Sequence, residues 1–269
     1  MGFASYGEDI ESRVVSATYR VTPRPQAVAT ARGMQSSELN HNGAIPPNSR
    51  EEPMSIIEVT LSEARPLPVF ILADVSGSMA DGGKIAALNL AVKELLTSLA
   101  GDDDLRAAPH VAVITFGGTD ARLHVTLQPA EQIHWSEMRA DGATPMGAAF
   151  QLLKAQLEDK NIVASRAYRP TIVLVSDGQP NDAWETALKE LLGSERAAKA
   201  DRFALAIGQD ADDAMLVQFT GDRELVLRAD AAKDIRKFFR FVSMSVQART
   251  RSLQPNARLP PPDLDTLIV

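Results

Sequence analysis

The sequence contains no cysteine. That one absence removes disulfides, thiolate zinc sites and cysteine nucleophiles together. Histidine is scarce too. His41, His110, His124 and His134 show no metal-ligand spacing, and each reads as an ordinary surface or core side chain. No apolar run reaches the roughly 18 residues of a membrane-spanning helix. The first stretch, "MGFASYGEDIESR", lacks the basic head and apolar centre of a secretory signal. It also lacks the hydroxyl residue that N-myristoylation requires at position 6, where Tyr6 stands. The cytoplasm is the expected location. Positive charge is in short supply as well: 28 Lys and Arg face 35 Asp and Glu, for a net charge of −7. That balance argues against nucleic acid, which needs a positive footprint, and against an anionic membrane surface. It is compatible with a bound cation, although −7 is also ordinary for solubility.

What is present suits one core domain. With 269 residues, 45% of them hydrophobic, the chain has room for one sizeable α/β domain with tails. Residues 1–53 contain Pro23, Pro25, Pro46, Pro47 and Pro53, many polar residues and little apolar periodicity. They read as a flexible N-terminal extension, with "SRVVSATYRV" as one short strand. The core domain is expected over 54–253. Residues 254–269 are Pro-rich and read as a flexible C-terminal tail.

Within the core, strands and helices alternate. "IIEVTL" and "PVFILADV" are strands, the second apolar throughout, as a strand buried on both faces must be. Ile85, Leu88, Val92, Leu95, Leu96 and Leu99 recur at helical spacing. "HVAVITF" and "RLHVTLQ", joined through "GGTDA", form an antiparallel hairpin. Met146, Ala149, Phe150, Leu153 and Leu157 line a helix, and "TIVLVS" is another buried strand. Asp182 and Glu185 have capping spacing for a helix that buries Trp184, Ala187, Leu188 and Leu191. "RFALAIG", a short helix "DDAMLVQF", "ELVLR" and a last helix with Ile235, Phe238, Phe239, Val242 and Val246 complete the series. The pattern predicts a doubly wound α/β fold: a mainly parallel sheet, one antiparallel hairpin strand, and helices on both faces.

Such a sheet binds ligands beyond the carboxyl ends of its strands, where the strand order reverses. Three polar stretches should meet there: "ADVSGS", "DGATPMG" and "SDG". In a locally extended chain Asp74, Ser76 and Ser78 point the same way. Thr144, followed by Pro145 at the start of its helix, adds a hydroxyl, and Asp177 adds a second carboxylate. The set is all oxygen and carries two negative charges, which suits a hard divalent cation. Mg²⁺ is the first choice, with Mn²⁺ or Ca²⁺ as alternatives. Five protein oxygens, some acting through water, leave a coordination position open to a carboxylate from a partner.

The elements "DVSGSM", "GATPMG" and "SDGQP" resemble the metal-ion-dependent adhesion site of von Willebrand factor type A (vWA) domains. The resemblance runs from about Met54 to Leu253 and implies the vWA fold, which is Rossmann-like. It implies a metal site of Asp74, Ser76, Ser78, Thr144 and Asp177, with Ser76 and Ser78 ligating directly and Thr144 and Asp177 directly or through water. It implies a non-enzymatic, Mg²⁺-dependent protein-interaction module whose partner supplies an Asp or Glu. Within the family, "PVFILADVSGSM", "LVSDGQPNDAWETAL" and "KFFRFVSMSV" are similar to the bacterial TerY-type subgroup of tellurium-resistance and stress operons. That likeness implies a scaffold or adaptor working with a protein kinase and a PP2C-type phosphatase. Such proteins tend to start near Met54, so residues 1–53 depart from the pattern. They are either a regulatory tail, with Thr18, Thr22, Thr30, Ser36 and Ser37 as phosphate acceptors, or lie upstream of a second start.

Sharper chemistries fit less well. A phosphate-binding P-loop needs G-x-x-x-x-G-K-[ST]; here Gly77, Gly82, Gly83 and Lys84 have the wrong spacing, and Ile85 follows the lysine. Gly82 and Gly83 then read as a turn into the helix and Lys84 as solvated. Asp74 as a phosphoryl-accepting nucleophile would call for an acid two residues on, where Ser76 stands. A serine nucleophile needs a base and an orienting group, and no G-x-S-x-G is present. Capping of helix N-termini would explain any one of the five residues, but not five converging from three segments. The acidic runs "GDDD" and "DADD" read as a solvated loop and a helix start, and Trp135 and Trp184 as packing residues. Two other functions stay open: a metal-dependent phosphohydrolase using the same oxygens, and a vWA adaptor of a MoxR-like AAA+ ATPase.

Overall fold

The first strand, β1 (Arg65–Asp74), sorts its residues between two cores. Leu67, Val69, Ile71 and Ala73 face one side of the sheet, and Phe70 and Leu72 face the other. All six are fully buried. A strand is apolar on both faces only when both are covered, and here helices cover both. A computed structural model describes residues 64–101 and 106–258 of the chain. The N-terminal extension, the "IIEVTL" strand, Asp102 to Asp104 of the first acidic run, and the C-terminal tail from residue 259 lie outside the described residues.

After β1 come a 3₁₀ turn (Gly77–Gly83), α1 (Lys84–Ala100), β2 (Ala107–Gly117) and β3 (Asp120–Pro129). Then follow α2 (Met146–Glu158), β4 (Thr171–Ser176), α3 (Trp184–Leu192) and a short α4 (Glu195–Lys199). The series closes with β5 (Asp201–Ile207), α5 (Asp213–Thr220), β6 (Val226–Ala229) and α6 (Ala232–Arg251). The six strands lie in the order β3-β2-β1-β4-β5-β6. All neighbours are parallel except β2 and β3. α1 and α6 pack on one face through Leu88, Val92, Leu95, Phe238, Phe239 and Val242. α2, α3 and α5 pack on the other through Phe150, Leu153, Leu188, Leu191, Leu216 and Phe219. Each such side chain contributes about 1.5–3 kcal/mol when fully buried. The doubly wound α/β architecture expected from the sequence is the observed one.

Three local details differ from the sequence reading. α4 was not anticipated, because five residues show no helical period. The "ELVLR" strand begins only at Val226, since Arg223–Leu225 form a 3₁₀ turn. Asp182 does not cap its own helix: α3 is preceded by Ala183, with no side-chain cap. Asp182 instead accepts hydrogen bonds from Gly147 N (2.8 Å) and Ala148 N (3.0 Å), the first-turn amides of α2.

The end of α6 is anchored by an arginine. Arg249 is buried, with Nη1 donating to Thr171 Oγ1 (2.7 Å) and Nε to Pro255 O (2.8 Å). Burial lowers its guanidinium pKa to about 10, against the stabilising charge of Asp201. Arg169 N donates to Asn256 Oδ1, so residues just beyond α6 are held to the loop before β4. Among the described residues no helix is long and apolar enough to cross a membrane.

Candidate metal centre

The strand order reverses between β1 and β4, the two strands whose neighbours lead in opposite directions along the sheet. Crossover connections leave a crevice beyond the carboxyl ends of such a pair. The register Ala73↔Val175 puts Asp74 level with Ser176, and Asp177 follows at once. Two of the predicted carboxylates therefore reach the crevice because their strands end there.

Asp74 is fully buried and held at both oxygens. Oδ1 accepts from Ser76 N (2.8 Å) and Oδ2 from Ser176 Oγ (2.6 Å). Burial pushes its carboxyl above the ordinary aspartate value; the hydrogen bonds from Ser176 and Ser76 oppose that, and the negative charge of Asp177 adds to it. Ser176 was not among the predicted site residues. The signal for it was faint: a serine one position before Asp177, on the strand beside Asp74.

Ser76 is extended, with φ −62° and ψ 166°, but the chain turns into the 3₁₀ stretch at Gly77. Simple alternation therefore does not carry Ser78 to the site, contrary to the sequence argument. The turn carries it instead. Ser76 Oγ and Ser78 Oγ lie 3.1 Å apart, and Ser78 Oγ donates to Asp177 Oδ1 at 2.7 Å. Asp74, Ser76, Ser78, Asp177 and Ser176 thus form one continuous hydrogen-bonded chain.

Thr144 comes from a separate loop, fixed by backbone contacts. Gly77 N donates to Gly142 O (2.8 Å), Asp141 N to Val75 O (2.7 Å), and Gly118 N to Asp141 O (2.7 Å). Gly142 has φ +68°, and a Cβ there would lie 2.4 Å from Gly118 Cα, so no larger residue fits. Asn89 of α1 braces the same loop: Nδ2 donates to Met138 O and Oδ1 accepts from Met138 N. At the far end of the loop Asn181 N donates to Thr144 O (3.2 Å). Thr144 is largely buried. Its Oγ1 and Ser78 Oγ flank Gly178, at 3.8 Å and 4.0 Å from the place a Cβ would occupy there. All five predicted residues therefore converge.

Lys84 corrects the sequence reading. It is not simply solvated: Nζ lies 2.7 Å from Asp177 Oδ2, with the lysine side chain 26% exposed and the aspartate side chain fully buried. Its Nζ also reaches Ser78 O at 3.5 Å. The acidic run at 210–213 does start a helix, with Asp212 accepting from Met215 N. Trp135 and Trp184 pack against the two cores.

The donor set fits a hard divalent cation. It offers two carboxylates and three hydroxyls and no sulfur or imidazole. Among the described residues no group of three or more His, Asp or Glu gathers as a metal site; this site has two carboxylates and depends on hydroxyls for its other donors. Neither Ser76 nor Ser78 has a histidine partner there; His110 and His124 bond to Ala108 O and Ser136 O instead.

Residues 69–179 match the family model of the von Willebrand factor type A domain. The sheet order over the described residues agrees with that match: the fold is the Rossmann-like one of vWA domains. A curated relative, the magnesium-chelatase 60 kDa subunit of Rhodobacter capsulatus, is 34% identical over 111 residues. That alignment takes in 39% of this chain and 19% of the relative. A von Willebrand factor type A structure from Catenulispora acidiphila superposes with a TM-score of 0.51 at 18% identity, over 70% of this chain and 43% of that one. Proximal thread matrix protein 1 from the mussel byssus, with a zinc-occupied MIDAS motif, gives 0.54 at 16% identity, over 66% and 47%. The chain thus spans about a fifth of its curated relative and under half of either structure.

Proposed function

We propose that this domain is a divalent-cation-dependent protein-interaction module, not an enzyme. The observation that carries the reading is the convergence of Asp74, Ser76, Ser78, Thr144 and Asp177 from three loops at the strand-order reversal. Asp74 is held by Ser76 N and Ser176 Oγ, so its geometry is set before any ion arrives. The three hydroxyls are neutral, so two carboxylates match a divalent ion without excess negative charge. Mg²⁺ is the proposed ion, and the zinc-occupied MIDAS motif of the mussel protein supports a divalent metal at a site of this kind. When bound, the ion supplies an electrophilic position that a partner's Asp or Glu completes. Ion and partner are then linked, each tightening the other.

The similarity to a magnesium-chelatase subunit supports a role as one component of a larger assembly. This favours the adaptor reading, in which the domain couples a chelatase-like AAA+ ATPase to its target. The TerY-type reading, with a kinase and a PP2C-type phosphatase as partners in a stress or tellurium-resistance system, is supported by the motif run in the sequence. The phosphohydrolase reading is less well supported, because no histidine stands beside Ser76 or Ser78 among the described residues.

The test is co-purification from native extract with wild type and Asp74→Ala, in Mg²⁺ and in EDTA. A partner retained only by wild type with Mg²⁺, and released when its acidic contact residue is replaced, is the expected result. Partner capture indifferent to both metal and mutation would move the binding surface elsewhere. Phosphate release by purified protein, lost in Asp177→Ala, would overturn the non-enzymatic reading.

A further inference from the structure

Lys84 stands where helix electrostatics disfavour a cation. It is the first residue of α1, and the positive end of a helix dipole repels an ammonium. No acidic residue stands in that first turn to offset it. Yet the side chain does not extend to solvent; it reaches back to Asp177 Oδ2, across 93 residues of sequence. Asp177 shares its other oxygen with Ser78. The ammonium thus holds one oxygen of a carboxylate whose other oxygen belongs to the hydroxyl chain.

We propose that Lys84 is an internal counter-ion that competes with the divalent cation for Asp177, and so sets the metal affinity of the site. This rests on the metal reading above. Asp177 is fully buried, and an isolated buried carboxylate is strongly disfavoured. Without a bound ion, Lys84 supplies the neutralising charge. With one, a second cation on the same carboxylate is repelled, so Lys84 must let go of Oδ2. The local chain permits this. Gly82 and Gly83 turn at φ +60° and +73°, with nothing within 4 Å of either Cβ position, and the lysine side chain is already partly exposed. Its four-carbon stem can carry the ammonium into water without moving α1. A site built this way keeps the Asp177 carboxylate paired with a cation in both states, and it binds the ion less tightly than its oxygens alone would.

The experiment is calorimetric titration of Mg²⁺, and separately of Mn²⁺, into the full chain as wild type, Lys84→Met and Lys84→Arg. The expected result is about fivefold or more tighter binding in Lys84→Met, the factor that follows from removing a competing pair of modest strength. Lys84→Arg should stay at or below wild-type affinity. The melting temperature in EDTA should fall in Lys84→Met and recover on adding metal by a larger shift than in wild type. Wild-type or weaker affinity in a folded Lys84→Met would overturn the proposal, because Lys84 would then only position Asp177. Failure of the metal reading looks different: no variant, wild type included, would take up either ion.

Discussion

Asp74 shows how one residue can be shaped for a charge it does not itself balance. Burial raises its carboxyl pKa, and Asp177 raises it further, while Ser176 and Ser76 only partly compensate. A carboxyl whose folded pKa lies above its unfolded value binds its proton more tightly in the native state. It therefore weakens the fold as pH climbs past the ordinary aspartate value, and the loss is complete above the folded value. Asp74→Asn removes that term while keeping the shape and an acceptor for Ser76 N. In EDTA, the variant should be more stable than wild type at neutral pH, with a gap that widens as pH rises from about 4. Thermal melts across pH measure this; a gap that is flat or shrinks with rising pH would contradict it. Saturating Mg²⁺ should remove the wild type's disadvantage, because an ion stabilises only the ionised carboxylate. Much at this scale was legible beforehand. The motif spacing points to Asp74, Ser76, Ser78, Thr144 and Asp177, and the structure brings them together; strand ends deliver the two aspartates, while the 3₁₀ turn and a separate loop bring Ser78 and Thr144. Lys84 and Ser176 were not legible, since their partners lie 93 and 102 residues away in sequence.

At the scale of elements, the loops around the site are tied to one another. Asp182 lies just before α3, yet caps α2, and so pins the loop after β4 to the helix that follows Thr144. Sequence alone places a capping aspartate near a helix start but cannot say whose, because the donor amides are chosen by tertiary packing. Replacing it leaves two first-turn amides of α2 without their partner. Asp182→Ala should therefore destabilise the protein by about 1 kcal/mol, within the usual 0.5–2 kcal/mol for a lost cap. It should also weaken metal binding, since Thr144 sits two residues before α2. Urea unfolding and a metal titration on the same sample check both effects. Unchanged stability would mean the cap contributes nothing net. The strands were easier to read: Thr171–Ser176 was placed residue for residue, because a buried parallel strand must be apolar on both faces.

For the whole molecule, the sheet order gives the site its meaning. Six strands in the order β3-β2-β1-β4-β5-β6 create one reversal point, and the oxygen donors sit there. The two helix layers bury both faces of the sheet, and β1 ends on Asp74 at the reversal point. The same architecture supports many functions, which is why the donor set and not the fold carries the functional reading. The central claim is that these oxygens bind one divalent ion. Mn²⁺ titration followed by electron paramagnetic resonance tests it on the full chain, with wild type beside the double variant Ser76→Ala/Ser78→Ala. The account predicts one Mn²⁺ per wild-type chain, displaced by Mg²⁺, and affinity reduced about tenfold or more in a variant that melts as a folded protein. Equal binding by both proteins, or no binding by wild type, would contradict it.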